Sequence, residues 1–448
     1  MSLDTYLSIT PIQTVLQSKE EQVTRLFSHI EFDGKQLTHQ PGSVFGSTAL
    51  VAGTTVGAGV LALPAVTMSS GVVPSTALMI GAWVYALVAA LLIAEATVNT
   101  MRLVGRTNIN ILAMVEHSLG PVGSGIAGGA YLFLQCALLI AYLAKGGDIL
   151  GDAIAKIFGV QNILPGWVGI TIFTLLFGGM MYLGRGKWIE KLNNTFMAIV
   201  IASFVGLLLI AGEQVKATQF LFQNWSTVGS AIPVIFVAFF FHSVVPVVVT
   251  QLEGDSRKIR QSLVLGSLIP LIMFLAWNAV ILGSVSPEMI QQTLNEKTIF
   301  DPLQILRVGG AGEWLALLVS VFSEFAIVTS FIGLMYGLLD FLREIDLLKQ
   351  IYSVSQLPLY SIILLPSMSF GVINPNIFFT ALDYAGAFSV SVLEGIIPAL
   401  MAWKQREQQQ FIDSNHQSFV PGGKLTLMVI IGITLIVIVK QILLKCGL

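Results

Sequence analysis

The sequence predicts an all-α integral membrane protein of eleven spanning helices, built as two inverted five-helix halves with one helix appended. Three observations carry this. The 448 residues are 55% hydrophobic and 11% charged, with a mean hydropathy of +0.82, whereas a soluble domain carries about 25% charged residues. Eleven stretches reach the roughly 20 mostly apolar residues that a membrane crossing needs. Two of them, the first and the sixth, are interrupted in the middle by helix-weakening residues.

Residues 1–43 are polar and mixed in charge, with no basic stretch leading into a short apolar run, and predict a cytoplasmic tail rather than a signal peptide. The spans follow at 44–67, 73–99, 122–150, 165–183, 190–212, 228–251, 261–284, 313–340, 357–373, 376–402 and 425–446. No Asp, Glu, Lys or Arg stands between Lys35 and Glu95, and "SSGVVP" at 69–74 supplies a turn, so the first two spans form a hairpin. Placing the N-terminus in the cytoplasm puts sixteen Lys and Arg residues on that side, Arg102, Arg185, Lys191, Arg257 and Arg343 among them, and six on the other. That asymmetry predicts N-terminus in and C-terminus out. The five-helix halves are then 44–212 and 213–402, followed by a cytoplasmic loop and the last span at 403–448.

The first interruption lies in "LVAGTTVGAGVLALP", Leu50 to Pro64. A Gly53-x-x-x-Gly57 pair alone reads as a packing face between helices. Gly59 and the neighbouring Thr54 and Thr55 shift that balance, because each glycine lowers helix propensity by about 1 kcal/mol relative to alanine. The second is "FFFHSVVPVVVTQL", Phe239 to Leu252, where Pro246 is expected to interrupt the span. Non-helical backbone at membrane depth is tolerated where it lines a cavity. Paired interruptions in corresponding positions of two halves point to a secondary transporter with its substrate at the breaks. Freed N–H groups suit a carboxylate and freed C=O groups an ammonium, so Thr54, Thr55, Gly57, Ala58 and Gly59 are candidate contacts for an amino acid zwitterion.

With these residues in view, the chain resembles the hydroxy/aromatic amino acid permeases, the bacterial tyrosine and tryptophan transporters of the amino acid–polyamine–organocation superfamily. The resemblance rests on "VAGTTVGAGVLALP" (51–64), "SAIPVIFVAFFFHSVVPVVV" (230–249), "GSLIPLIMFLAWNAVILGSV" (266–285), "VTSFIGLMYGLLDFL" (328–342) and "ALDYAGAFSVSVLEGIIPALMAW" (381–403). It implies a leucine-transporter-like fold with discontinuous first and sixth helices, a site in the cytoplasmic membrane of a bacterium, and import of aromatic amino acids driven by protons. In that fold the third span flanks the breaks, which makes Gln135, with Tyr131 and Tyr142, candidate cavity residues, although each taken singly reads first as ordinary packing. The hydroxyls of Thr329 and Ser330 in the eighth span are candidate sodium ligands there, so sodium coupling stays open, although hydroxyls in membrane helices more often bond their own backbone.

Ionisable residues at membrane depth are functional candidates by default. His242, beside Ser243 at the second break, is a candidate for substrate contact or proton coupling; its alternative is a neutral ring bonded to a freed carbonyl. Phe240 and Phe241 are placed to stack on an aromatic substrate. Glu324, in "VSVFSEFAIVTSF", is a candidate proton carrier or a structural carboxyl. Glu95 is expected to snorkel at the inner end of the second span, and Lys145 with Asp148 to form an ion pair one turn apart. Asp383 and Glu394, eleven residues apart, fall near one face of the tenth span and suggest a second polar track.

Other functions fit less well. A net charge of −2 gives no basic face for nucleic acid. A sensor that binds amino acid without moving it would carry a signalling domain, for which the tails are short. No Gly-x-Gly-Asp or Gly-x-Ser-Gly protease motif is present, and no cluster of His, Cys and acids suggests a metal enzyme. The expected partners are an amino acid, a proton or sodium ion and the lipid bilayer, with no other cofactor; lipid-facing surfaces do not distinguish a monomer from an oligomer in one dimension. Cys136 and Cys446 are not expected to pair.

Overall fold

The computed structural model describes residues 25–32, 37–39, 41–57, 59–105, 110–158, 165–213, 215–284, 313–344, 356–374, 377–408 and 418–446. Apart from one small hairpin, these residues form helices. The helices are α1 Val44–Thr55, α2 Gly59–Thr67, α3 Val72–Val104, α4 Ile111–Ile157, α5 Gly166–Leu183, α6 Gly186–Gly212 and α7 Val228–Ala238. They continue with α8 Val245–Gln251, α9 Ser256–Ser284, α10 Glu313–Glu344, α11 Leu357–Ile373, α12 Ile377–Glu407 and α13 Gly423–Cys446. Among the described residues, nine spans are long and apolar enough to cross a membrane, α7 and α8 together making one of them, and the bent pair α1–α2 makes a tenth. Helix α11, with 17 residues, is shorter, about 26 Å against a hydrocarbon layer of about 30 Å. The protein is a multi-pass integral membrane protein.

Both interruptions are real breaks, but the prolines do not make them. Helices α1 and α2 meet at an angle of 53°, and Pro64 lies inside the continuous α2. In the second case the helix ends at Ala238, a single 3-10 turn follows at His242–Val244, and Pro246 sits in the first turn of α8. A first-turn proline lacks only an N–H that would have no partner in the helix. Pro246 therefore restarts a helix that had already stopped at Phe239.

The long α4 contains 47 residues and divides at Gly120, whose φ of 80° and ψ of −177° are non-helical, immediately before Pro121. Only glycine takes that conformation readily. The span proper starts there, as the sequence boundary at 122 anticipates. Gly71, with φ of 85°, makes the tight turn between α2 and α3; a side chain there would run into the Phe222 carbonyl.

The broken span at 225–251 and α12 form the centre of the molecule. Of their apolar windows 72% and 78% are buried, against 28% for α6 and α13, which lie at the rim. All nine residues of α2 are buried. They are fixed by the Trp277 indole N–H, which donates to the Val60 carbonyl at 3.1 Å, and by Thr67, which donates to Asn278 Oδ1 at 2.7 Å. Gly59 brings α2 against α7: a Cβ on it would lie 3.1 Å from Ala238 Cα. The two breaks are thus neighbours in space.

The segment read as a polar tail is structured close to the membrane. Strands Ile30–Phe32 and Leu37–His39 pair antiparallel, Ile30 opposite His39. The hairpin docks on Glu253, just after α8. The His29 N–H and the His39 Nε2 each meet Glu253 Oε1 at 2.6 Å, and the Leu26 N–H donates to the Glu253 carbonyl at 2.7 Å. These bonds hold Glu253 at φ 55°, the one positive φ outside glycine among the described residues. Burial alone would push its pKa up; the His29 N–H, the His39 ring and the Arg25 charge outweigh it and hold the carboxyl below its usual range.

Glu95 does not snorkel. It is fully buried and takes two bonds from Arg406, at 2.7 and 2.8 Å, and one from the Phe419 N–H at 2.8 Å. Its partners lie more than three hundred positions away, a pairing that no local pattern reveals. Lys145 and Asp148 do pair, at 3.8 Å across one turn. Cys136 and Cys446 are free thiols.

Candidate functional site

A cavity of about 600 Å³ opens at the two breaks, within the size range of ligand sites. Its wall combines α1 and the first break (Thr54, Thr55, Gly57, Gly59), α4 (Tyr131, Gln135, Tyr142), the second break (Phe240, Ser243), α10 (Thr329, Ser330) and α6 (Asn193, Met197). Among the described residues, no Asp, Glu, Lys or Arg belongs to the wall. The site is polar at chosen points and neutral throughout.

Backbone groups at the breaks belong to the site, some of them already paired: the Val60 N–H donates to the Gly57 carbonyl at 3.1 Å and the Phe240 N–H to the Val237 carbonyl at 3.2 Å. A helix end leaves N–H or C=O groups without partners in the helix, and here the ends of α1 and α7 and the start of α2 meet. The threonine hydroxyls do not compete for them. Thr54 donates to the Leu50 carbonyl at 2.8 Å and Thr55 to Val51 at 2.7 Å, each one turn back in its own helix. Gly57 passes close to α10: a Cβ would lie 2.8 Å from the Ser330 hydroxyl. Gly53 faces open space. The glycines of the break thus serve two purposes, close approach and an uncovered backbone.

Across the cavity, Gln135 donates from Nε2 to the Tyr131 hydroxyl at 2.8 Å, and both rest on Gly337 of α10, where a Cβ would lie 2.7 Å from the amide and 3.1 Å from the phenol. Thr329 donates to the Phe325 and Ala326 carbonyls at 3.0 and 3.1 Å, and Ser330 to Ala326 at 2.9 Å. Each hydroxyl places its hydrogen in its own helix and keeps its oxygen lone pairs beside the cavity.

Several expected residues are not brought together. Ala58 lies outside the described residues. Phe241 is fully buried and does not reach the cavity; it stacks on His242, ring centroids 5.0 Å apart, because the 3-10 turn after it rotates successive side chains to different sides. Phe240 does line the cavity. His242 is also fully buried, directed away from the cavity, with Nε2 3.0 Å from the Ala86 carbonyl and 3.5 Å from Glu394 Oε1. Glu324 is half-buried and off the cavity wall. Asp383 and Glu394 do not share a track. The helix is π-wound over Ala385–Ile396, and its wider turns carry Glu394 out of the α-helical relation, so Asp383 meets Gln441 and Lys445 while Glu394 meets His242.

Sequence reasoning missed Asn193 and Met197, which enter the wall from the start of α6. The doublet Asn193-Asn194 near the start of the fifth candidate span was the available signal. It also missed Gly333 and Gly337, whose four-residue spacing leaves the α10 side of the cavity smooth.

Several known transport proteins are similar to this chain over most of its length. The tyrosine-specific transport system 1 of Haemophilus influenzae is 29% identical over 391 residues, 86% of this chain and 93% of its own. The low affinity tryptophan permease of Escherichia coli K12 is 26% identical over 408 residues, 88% and 94%. Glutamine transporter 2 of Aliivibrio fischeri is 27% identical over 406 residues, 89% and 99%. Residues 40–441, which hold both breaks and every element of the cavity wall, match the tryptophan/tyrosine permease family, and the chain belongs to that family.

Proposed function

We propose that the protein is a secondary active transporter that imports an aromatic amino acid across a bacterial cytoplasmic membrane, holds it at the two breaks and couples uptake to protons. The observation that carries this reading is a neutral cavity of about 600 Å³ placed where helices expose their backbone. A zwitterion needs a donor for its carboxylate, an acceptor for its ammonium and no competing charge. The N–H groups opening α2, other than that of Val60, which donates to the Gly57 carbonyl, and the last C=O groups of α1 and α7 would meet those needs. Phe240, Tyr131 and Tyr142 give the substrate ring aromatic surfaces, and the relatives named for tyrosine and tryptophan support that class.

In this reading the eleven candidate spans form a leucine-transporter-like fold. Residues 44–212 and 213–402 are its inverted halves, and 403–448 is the loop with the appended helix. With the N-terminus in the cytoplasm, Ala49, Asn193, Met197, Gly333 and Gly337 of the wall lie on the cytoplasmic side of the breaks, and the buried α2 and α7 close the outer side. The conformation is inward-open, one state of alternating access.

A second reading, a carrier of other neutral amino acids, is favoured by the glutamine-transporting relative. Uptake of labelled tyrosine into proteoliposomes, under a proton gradient without sodium and under a sodium gradient at equal pH, with tryptophan, phenylalanine and glutamine as competitors, tests both. The expected result is accumulation with protons alone, blocked by the ring-bearing competitors. Accumulation with sodium alone transfers coupling to Thr329 and Ser330, and selective competition by glutamine overturns the aromatic assignment.

A further inference from the structure

We infer that Glu394, acting with His242, is the group that carries the coupled proton; this rests on the proton-driven reading above. Both side chains are fully buried, 3.5 Å apart, near the middle of the helical bundle. Glu95, the other acid with no exposed surface among the described residues, has a guanidinium and a backbone N–H. Glu394 has no hydrogen bond on either carboxyl oxygen among the described residues. The His242 Nε2 lies against the Ala86 carbonyl, which only accepts, so Nε2 carries a hydrogen; Nδ1 has no partner.

An unbalanced charge in such a core is costly, and a buried ion pair is tolerated only when its hydrogen bonds are complete. The pair is uncharged overall in two forms, carboxylic acid with neutral imidazole or carboxylate with imidazolium, which contain the same number of protons. Losing one proton leaves a bare carboxylate in apolar surroundings. The closed core therefore holds one exchangeable proton. Its release, from carboxylic acid to carboxylate plus a proton delivered to water, requires water to reach the pair.

The surroundings add little else that titrates. Tyr85 of α3 faces Glu394 and bonds Thr434 of α13 at 2.7 Å, its hydroxyl seated against Gly395. Phe240 and Phe241 flank the His242 ring. No Lys or Arg pairs with Glu394 among the described residues.

Placement links the proton to the substrate. His242 stands in the second break between Phe240 and Ser243, both on the cavity wall. Helix α12 is in backbone contact with α7, since a side chain on Gly386 would strike the Pro233 carbonyl. A movement of α7 or of the break that opens or closes the cavity must therefore shift the pocket around Glu394. Substrate and proton then bias the same element, and the coupling is reciprocal.

The test compares wild type with Glu394→Gln, a neutral shape mimic of the protonated acid, in proteoliposomes. Two quantities are read: accumulation of labelled tyrosine under an inward proton gradient, and exchange of labelled for unlabelled tyrosine at equal pH. The expected result is exchange near the wild-type rate with gradient-driven accumulation reduced by about tenfold or more. Accumulation at the wild-type level in Glu394→Gln overturns the inference and leaves the proton-driven reading standing. A wild type that ignores the proton gradient overturns that reading itself, and the inference with it. Should Glu394→Gln neither exchange nor accumulate, Glu394→Asp is read instead: a displaced pH midpoint of uptake supports the inference, and an unchanged one overturns it.

Discussion

Gly57 shows how much of the site depends on one missing side chain. Its α-carbon faces the Ser330 hydroxyl so closely that a methyl group would sit 2.8 Å away, while the Ser330 Cβ is at 3.9 Å. Gly57→Ala is expected to lower tyrosine uptake several-fold, and Ser330→Ala in the same chain to restore most of it, because only the oxygen is in the way. Failure of the double variant to recover would mean that the oxygen is needed for more than packing, as a cation ligand requires. Glu253 gives a pH prediction at the same scale. Its folded pKa lies below its unfolded value of about 4.3, so its share of the hairpin docking is present above that pH and lost as pH falls through the folded value. Protection of the Leu26 amide from hydrogen exchange is expected to drop below about pH 4, and Glu253→Gln to reproduce the drop at pH 7; equal protection in both would remove Glu253 from the docking.

At the scale of elements, the apolar runs and their turns were legible. Each candidate span has a helix on it, and the α4 boundary at Gly120-Pro121 falls where the sequence placed it. The existence of both breaks was legible too, from glycine density in one and from His242 and Pro246 in the other. Their places were legible as well, the first within 53–59 and the second at His242; what the sequence hid is that Pro246 opens the second half-helix, since a proline in the first turn restarts a helix as readily as an internal one ends it. Side-chain faces on α12 were hidden for a different reason. A π-wound stretch changes the residues per turn, and nothing in "AGAFSVSVLEGI" announces it. That stretch makes the α7–α12 contact testable: Gly386→Ala has no room against the Pro233 carbonyl and is expected to abolish uptake with loss of thermal stability, whereas unchanged uptake would show that the two helices can part.

At the scale of the whole molecule, the partners that matter are distant in sequence. Glu95 with Arg406, Gly57 with Ser330, and His242 with Glu394 each join opposite parts of the chain, so the sequence exposed the ingredients of the site and not their meetings. The central claim is that the neutral cavity at the two breaks holds the substrate and, in this conformation, faces the cytoplasm. Cysteine protection tests it most directly. In a chain carrying Cys136→Ser and Cys446→Ser, Met197→Cys places one thiol on the cavity wall. A membrane-impermeant maleimide applied from the cytoplasmic face is expected to label it, and tyrosine, tryptophan or phenylalanine to slow that labelling. A thiol that reacts from neither face, or at a rate indifferent to all three amino acids, would contradict the account.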